Sequence, residues 1–115
     1  MSAANPYDQA HELARELQRS EAVSQLREVW GEVCQNPDQR RTMERFRELS
    51  MELQRLQLEG RRPEEAKEQE LNRLLEEIRS HPTLQRYVEA EHRLSQMMND
   101  IHRIVNAPIE EIYKK

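Results

Sequence analysis

The segment Glu89-Ala90-Glu91-His92 has the residue types and spacing of a metal-binding motif. A glutamate and a histidine three residues apart lie on adjacent turns of one helix, where both can bind a metal ion in di-metal helical bundles. Such sites also take two more glutamates and a second Glu-x-x-His motif from facing helices. The chain contains one such motif, so this alternative interpretation, a metal-binding helical bundle, needs Glu89 and His92 from two subunits.

The same two residues also fit the polar flank of a helix in a bundle without metal, and we favour that interpretation. His11, His81 and His102 lie at separate places in the chain and form no metal-binding pair. Cys34 is the only cysteine, so neither an intrachain disulfide nor a cluster of four thiolates can form. We therefore expect no metal, no cofactor and no enzymatic activity.

The charge pattern argues against direct binding of nucleic acid. The chain has 18 basic and 22 acidic residues, which gives a net charge of −4. The densest basic pairs, Arg40-Arg41 and Arg61-Arg62, are short and are flanked by acidic residues. Recognition of a DNA or RNA backbone needs a basic stripe that displaces counterions, so we expect protein partners and no direct nucleic-acid contact.

The hydropathy pattern argues against a membrane protein. No run of apolar residues is longer than two, whereas a helix that crosses a bilayer needs about 20 such residues. The first residues also lack the basic and apolar regions of a signal peptide. We therefore expect no membrane contact and a cytoplasmic location.

The composition predicts an all-α protein. Hydrophobic residues make up 36% and charged residues 35% of the chain, compared with roughly 45–50% and about 25% in ordinary globular domains. Aromatic residues, which strands favour, make up only 4%. Elongated helices with one narrow apolar stripe each suit this composition. Since other helices must cover those stripes, we expect a homodimer or a higher homo-oligomer.

Proline and glycine residues divide the chain into five predicted helices within a single domain spanning 1–115. Asn5-Pro6 and Asn36-Pro37 each offer a capping residue followed by a proline in the first helical turn. Pro108 is expected to end the last helix, because proline removes a hydrogen bond from a helix interior. The predicted helices cover approximately residues 6–19, 20–35, 37–59, 63–79 and 82–107.

The two longest predicted helices, the third and the fifth, each carry a heptad-like apolar seam. We expect them to pair as an antiparallel hairpin, with the shorter helices packed along it and part of the seam left for a second subunit. Glu91 lies within the seam, so its charge must find a polar partner. The predicted oligomer interface consists of Phe46, Leu49, Leu53, Leu56, Tyr87, Glu91, Leu94, Met98 and Ile101.

A weak internal repeat appears when Pro37 is aligned with Pro82, which also matches Val33 with Ile78. Two tandem helix-break-helix units would explain the match. Two unrelated heptad-like helices whose register is set by a proline would match equally well. The sequence leaves both explanations open.

Three blocks of sequence carry a resemblance to a known family. They are YDQAHELAREL at 7–17, FREL at 46–49 with LQRLQLEG at 53–60, and YVEAEHRLSQMMNDI at 87–101. In this order they resemble the YlbF/YmcA/YheA family of small bacterial helical proteins, and its YheA branch most of all. The resemblance covers nearly the whole chain.

The resemblance implies an all-helical homo-oligomer, usually a dimer, without enzymatic activity. It also implies regulation through protein partners, because the YlbF and YmcA branches act in a complex that works with the ribonuclease RNase Y in RNA processing, competence, sporulation and biofilm formation. Some of those complexes hold iron-sulfur clusters through cysteines, and Cys34 alone cannot supply that ligand set. We therefore expect a non-catalytic helical adaptor or regulatory protein linked to RNA processing or development.

Overall fold

The computed structural model describes residues 5–114, which form five α-helices and no strand. The prediction of an all-α fold with about five helices is therefore confirmed. In chain order the helices are α1 (Pro6–Arg19), α2 (Glu21–Cys34), α3 (Pro37–Leu58), α4 (Glu65–Ser80) and α5 (Pro82–Tyr113).

Side-chain caps begin the first three helices, and those of α1 and α3 are the predicted Asn5 and Asn36. The Asn5 side-chain oxygen accepts a hydrogen bond from the backbone N–H of Tyr7 at 2.9 Å. The Asn36 side-chain oxygen accepts hydrogen bonds from the N–H groups of Asp38 and Gln39. The Ser20 hydroxyl oxygen accepts a bond from the N–H of Val23. Each cap satisfies donors that a helix leaves unpaired in its first turn.

A glycine turn ends α3. Gly60 has a φ of 72°, a left-handed conformation that glycine adopts without the steric cost of a side chain. The N–H of Arg61 donates to the carbonyl of Leu56, and the N–H of Gly60 donates to the carbonyl of Gln57. This pair of bonds is the Schellman arrangement, which satisfies the last carbonyls of a helix and reverses the chain.

The end of α5 differs from the prediction, because the helix continues through Pro108 to Tyr113. A proline inside a helix lacks the N–H that would bond to the carbonyl four residues earlier, here that of Ile104. The residues on both sides of Pro108 keep the helix despite this cost. The start of α4 also differs, since the helix begins at Glu65 and Pro63 lies in the preceding loop.

The antiparallel hairpin of α3 with α5 stays a prediction, because α3 and most of α5 belong to the two different units described below. The helix that packs along α3 is α4, which follows it after the short segment of residues 59–64. Short connections make consecutive helices antiparallel neighbours. The heptad seam of α3 thus identifies a packing face of this helix, two of whose residues, Leu49 and Leu56, are buried.

Contacts group the chain into two units, which we describe separately. The central unit comprises Val29–Val88, and the terminal unit comprises residues 5–28 together with residues 89–114. Both α2 and α5 pass from one unit into the other. Organisation as a single domain stays a prediction.

The central unit contains the large buried side chains. Leu49 and Leu84 are completely buried, as is Val33. Each of these side chains stabilises the unit by roughly 1.5–3 kcal/mol through burial. The buried residues of the unit are Val29, Val33, Thr42, Met43, Leu49, Leu56, Leu74, Ile78, Leu84 and Tyr87.

The terminal unit buries only small side chains among its described residues. Its two buried residues are Ala22 and Ala90, and α1 contains no buried residue. Its larger apolar residues are at most half-buried: Leu13, Leu17, Val23, Leu26, Leu94, Met97, Met98 and Ile101. The terminal unit therefore lacks the tight apolar core that the central unit has.

The internal repeat suggested by the sequence has a counterpart in the burial pattern. Val29 and Val33 of α2 are buried, and so are the aligned residues Leu74 and Ile78 of α4. Equal helical periodicity produces this match whatever its origin. Both explanations of the repeat remain open.

Leu49→Ala tests whether a predicted interface residue belongs to the chain's own core. Leu49 is fully buried, so we expect the free energy of unfolding to fall by about 2–5 kcal/mol. The matched control is Leu58→Ala on the same helix, where the side chain is 84% exposed and a change within about 0.5 kcal/mol is expected. Urea unfolding followed by circular dichroism measures both, and equal losses would contradict the core assignment.

Pro108→Ala tests the continuity of α5. Alanine restores the missing N–H and is favoured over proline by about 3 kcal/mol in a helix interior. Amide hydrogen exchange in residues 109–113 should slow by up to about a hundredfold. Pro82→Ala is the control, because Pro82 lies at the start of α5, where proline is tolerated. Unchanged exchange rates in Pro108→Ala would show that the helix does not extend past this residue.

Candidate interaction surfaces

The residues predicted to form an oligomer interface fall into two groups. Leu49, Leu56 and Tyr87 are buried within the chain itself and contribute to its own core. The remaining six are half-buried: Phe46, Leu53, Glu91, Leu94, Met98 and Ile101. The predicted interface stays a prediction as a set. Its buried members pack inside the chain itself.

Glu91 lies half-buried on α5 and is not without an interaction partner in the folded chain. Its place in an oligomer interface stays a prediction.

Tyr87 joins an aromatic and cationic cluster in the central unit. The rings of Tyr87 and Trp30 lie 5.2 Å apart between centroids and are tilted by 41°. The Arg47 guanidinium carbon lies 5.7 Å from the centroid of the Trp30 ring, within the range of a cation–π interaction. Arg47 also donates a hydrogen bond to the Tyr87 hydroxyl oxygen. The cluster links α2, α3 and the first turns of α5.

Ion pairs connect α3 with α4. Arg45 donates to Glu70 through Nε and Nη2, both at 2.7 Å, so that the guanidinium binds both carboxylate oxygens. The Lys67 ammonium donates to the carboxylate of Glu52. Two parallel bonds to one carboxylate fix orientation as well as distance. These pairs therefore help to set the register of the helix pair.

The ion pairs shift the pKa values of their members. The hydrogen bond from Arg45 holds the pKa of the Glu70 carboxyl below its ordinary value, and the hydrogen bond from Lys67 does the same for Glu52. The bond to Glu70 raises the pKa of Arg45 in turn. All three shifts come from pairing that stabilises the charged form, which is typical of structural ion pairs.

The outer side of α3 exposes apolar side chains between charged ones. Met51 is 64% exposed and Leu58 is 84% exposed. A shallow open depression of about 480 Å³ borders this side and is lined by Glu48, Met51, Glu52 and Arg55. We call the set of Glu48, Met51, Glu52, Arg55 and Leu58 the α3 surface.

The last three turns of α5 expose a group of large apolar side chains. The three- and four-residue steps of Leu94, Met98 and Ile101 continue through Val105, Pro108 and Ile112, whereas Ile104 and Tyr113, nine residues apart, lie on opposite sides of the helix. These residues were not among the predicted interface residues because the helix was predicted to end at Pro108, although the continued spacing was a usable signal. The exposed members are Ile104, Val105, Ile109, Ile112 and Tyr113.

The candidate metal ligands are not assembled within the chain. Glu89 and His92 are both exposed on α5. Across residues 5–114, no three His, Cys, Asp or Glu side chains lie together as a metal site requires. Cys34 is a free, half-buried thiol at the last residue of α2. A site that uses Glu89 and His92 would need ligands from a second copy.

None of the helices described has both the length and the apolar character that a membrane span requires.

The sequence matches the family described as control of competence regulator ComK, YlbF/YmcA, over residues 7–110. A UPF0342 protein of Alkalihalophilus pseudofirmus is 36% identical over 109 residues, which cover 95% of this chain and 92% of the relative. The similarity thus includes every helix of the fold.

Two solved structures share the fold. The structure of yheA from Bacillus subtilis aligns with a TM-score of 0.69 and 25% identity, and the alignment covers 96% of this chain and 100% of that one. A protein of unknown function (DUF964) from Bacillus stearothermophilus aligns with a TM-score of 0.76 and 18% identity, covering 95% and 96% of the two chains. The second likeness concerns the fold alone.

The lowered pKa of Glu70 predicts that acid weakens the central unit. Because its pKa in the folded chain lies below the ordinary value of 4.5, the ion pair stabilises the fold above that pH. This stabilisation is lost as the pH falls through the lower folded value. In Glu70→Gln, the melting temperature should be lower at pH 7 and should fall less on acidification.

Glu76→Gln is the matched control for this experiment. Glu76 lies on the same helix, is 82% exposed and approaches Arg79 only at 4.0 Å, so its replacement should leave the pH dependence of the wild type unchanged. Thermal melts between pH 3 and pH 7, monitored by circular dichroism, compare the three proteins. If Glu70→Gln and Glu76→Gln show the same pH dependence, the ion pair of Glu70 is not the cause.

Proposed function

We infer a regulatory role for this chain, because it belongs to the YlbF/YmcA family, which is described as controlling the competence regulator ComK. The resemblance seen in the three sequence blocks is thereby confirmed, and the relatives include YheA of Bacillus subtilis. The match extends over residues 7–110. The family match therefore includes residues from all five helices.

The proposed activity is that of a homo-oligomeric helical adaptor. The chain acts by binding protein partners through helix faces and thereby regulates RNA processing or a developmental process. Family membership supports the regulatory part, and the exposed apolar side chains support the binding part. Large exposed apolar side chains rimmed by charged ones are typical of protein interaction sites.

The α3 surface is the proposed contact for the heterologous protein partner. Met51 and Leu58 supply apolar anchors, while Glu48 and Arg55 supply charges of both signs beside them. Neither anchor contributes to the buried core. The central unit can therefore present this surface without any loss of its own packing.

The proposed adaptor has no catalytic activity of its own. The two carboxylates with lowered pKa values, Glu52 and Glu70, owe the shift to ion pairs between helices. A general acid or base would instead need a pKa near neutral pH and a reacting group beside it. The roles of these carboxylates are structural.

Capture of partners from the native host tests the proposed function. Tagged wild-type chain is cross-linked in cells of the source organism, purified, and compared with the tag alone by quantitative mass spectrometry. We expect reproducible enrichment of at least one protein of RNA processing or developmental regulation. Met51→Glu/Leu58→Glu should reduce that enrichment at least about tenfold, since a loss of about 1.4 kcal/mol in binding free energy has this effect.

A variant that reverses the charge of two exposed arginines provides the control. Arg61→Glu/Arg62→Glu alters two exposed loop residues outside the α3 surface and should preserve enrichment. Circular dichroism must show that both variants are as helical as the wild type. Equal enrichment with Met51→Glu/Leu58→Glu and the wild type would refute the α3 surface, and enrichment no greater than with the tag alone would refute the adaptor role.

A further inference from the structure

Arg55 is the charged member of the α3 surface that makes no direct contact with an opposite charge. Across residues 5–114, its side chain donates no hydrogen bond and takes part in no ion pair. The acidic members are paired, since Glu52 binds Lys67 and Glu48 lies 3.4 Å from Arg45. The exposed guanidinium of Arg55 therefore keeps its donors for a carboxylate, which arginine binds through two parallel hydrogen bonds.

The members of the α3 surface share one side of the helix. Residues 48, 51, 55 and 58 follow one another at steps of three, four and three, which places them within about 80° around the helix axis. Four members border the same depression: Glu48, Met51, Glu52 and Arg55. Met51 and Leu58 are seven residues apart and thus about 10 Å apart along the axis. The surface therefore has two exposed apolar anchors with the guanidinium of Arg55 between them.

We propose that the α3 surface binds an amphipathic helix of the protein partner. Apolar side chains of that helix cover Met51 and Leu58, and an aspartate or glutamate between them binds the guanidinium of Arg55. The inference rests on the proposed adaptor function and names the chemistry by which the adaptor recognises its partner.

The spacing of the two anchors favours a helix as the occupant. Side chains on one stripe of a helix recur after seven residues, about 10 Å along the axis, which equals the distance between the anchors. An extended strand presents the same face every two residues, about 7 Å apart, so it matches one anchor at a time. A polyproline segment docks into grooves lined by aromatic rings, and the α3 surface contains no aromatic residue.

The existing ion pairs favour another protein over a second copy of this chain as the occupant. A second copy would offer Glu48 and Glu52 from its own α3 surface to Arg55. Arg45 and Lys67 already bind these carboxylates, so a new contact would break existing pairs. A partner with an unpaired carboxylate gains the charge-assisted hydrogen bonds without that loss.

The small size of the α3 surface suits reversible binding. Two apolar anchors and one guanidinium cover less than the roughly 800 Å² that a standard interface buries on each partner. Interfaces below the standard size are typical of transient signalling complexes. Binding energy is concentrated in a few central contacts of an interface, so loss of the carboxylate should have a measurable effect on affinity.

Selection from a display library of random peptides tests the proposal, with the full chain as bait. Peptides of about 16 residues are long enough for more than four helical turns. Peptides that also bind Met51→Glu/Leu58→Glu are removed. We expect the remaining peptides to share apolar residues seven positions apart with an acidic residue between them. Alternating apolar residues, proline-rich sequences, a lack of acidic residues or the absence of any enriched peptide would overturn the proposal.

Charge reversal on both sides tests the contact with Arg55. Arg55→Glu should raise the dissociation constant of a selected synthetic peptide at least about tenfold, because a hydrogen bond between charged groups is lost. Replacement of the acidic residue of the peptide by lysine should weaken binding to the wild type and restore binding to Arg55→Glu. Isothermal titration calorimetry measures all four pairs. If the lysine peptide binds Arg55→Glu no better than the original peptide does, the proposed contact is wrong.

Arg79→Glu is the matched control for Arg55→Glu. It makes the same change of charge on α4, where the side chain of Arg79 is 71% exposed and approaches Glu76 only at 4.0 Å. Peptide affinity should stay within about twofold of the wild-type value. Circular dichroism must show equal helicity in both variants. Equal losses of affinity in the two variants would assign the effect to net charge and would overturn the proposal.

A proline in the peptide tests the helical form of the occupant without any change to the chain. At a central position that is neither apolar nor acidic, proline should weaken binding to the wild type by about a hundredfold, because it disrupts a helix interior. Alanine at the same position is the control and should preserve affinity. Equal affinity of the proline and alanine peptides would show that the occupant is not a helix.

The outcome is separable from that of the proposed function. If acidic helical peptides bind through Arg55 but the chain captures no partner in the host, the assignment of the binding chemistry holds and the adaptor role fails. If the chain captures a host protein through Met51 and Leu58 but selects peptides without an acidic residue or a helical pattern, the adaptor role holds and the proposed recognition fails.

Discussion

A shortage of apolar surface is the constraint on which the rest of this structure depends. Charged residues are nearly as numerous as hydrophobic ones, at 35% and 36%, so each helix can bury only a narrow side. The central unit uses most of the large buried side chains. The terminal unit then has too few to form a tight core from one chain, and its remaining apolar residues are left at the surface. The uneven core and the exposed apolar side chains therefore both result from the small number of apolar residues in the chain.

Polar contacts between α3 and α4 fix the register of this helix pair, which a small apolar core does not fix by itself. The bidentate pair of Arg45 with Glu70 connects α3 to α4, and Thr42 donates a hydrogen bond to Glu77 across the same helix pair at 3.0 Å. Apolar stripes tolerate shifts along the helix axis, whereas directional bonds do not. These contacts are partly exposed, so their main effect is to select one register, with a modest gain in stability.

The two exposed surfaces lie in different units and use different chemistry. The α3 surface alternates apolar anchors with charges of both signs, whereas the last three turns of α5 expose several large apolar side chains on both sides of Pro108. Alternating anchors suit a regulated contact with another protein. Large exposed apolar side chains are typical of permanent interfaces, since these resemble a core divided between subunits.

The sequence by itself determined the presence of five helices, the starts of all of them except α4, and the family. Asparagine-proline pairs, Ser20 and Gly60 act within one or two turns, so their effects are readable without a structure. Tertiary structure decided that α4 packs along α3, that α5 continues through Pro108 and that Leu49 is buried. A heptad pattern shows that a helix has an apolar side but does not show which helix covers it, because every stripe of similar width fits. Only the folded chain decides which stripes are covered and which remain exposed.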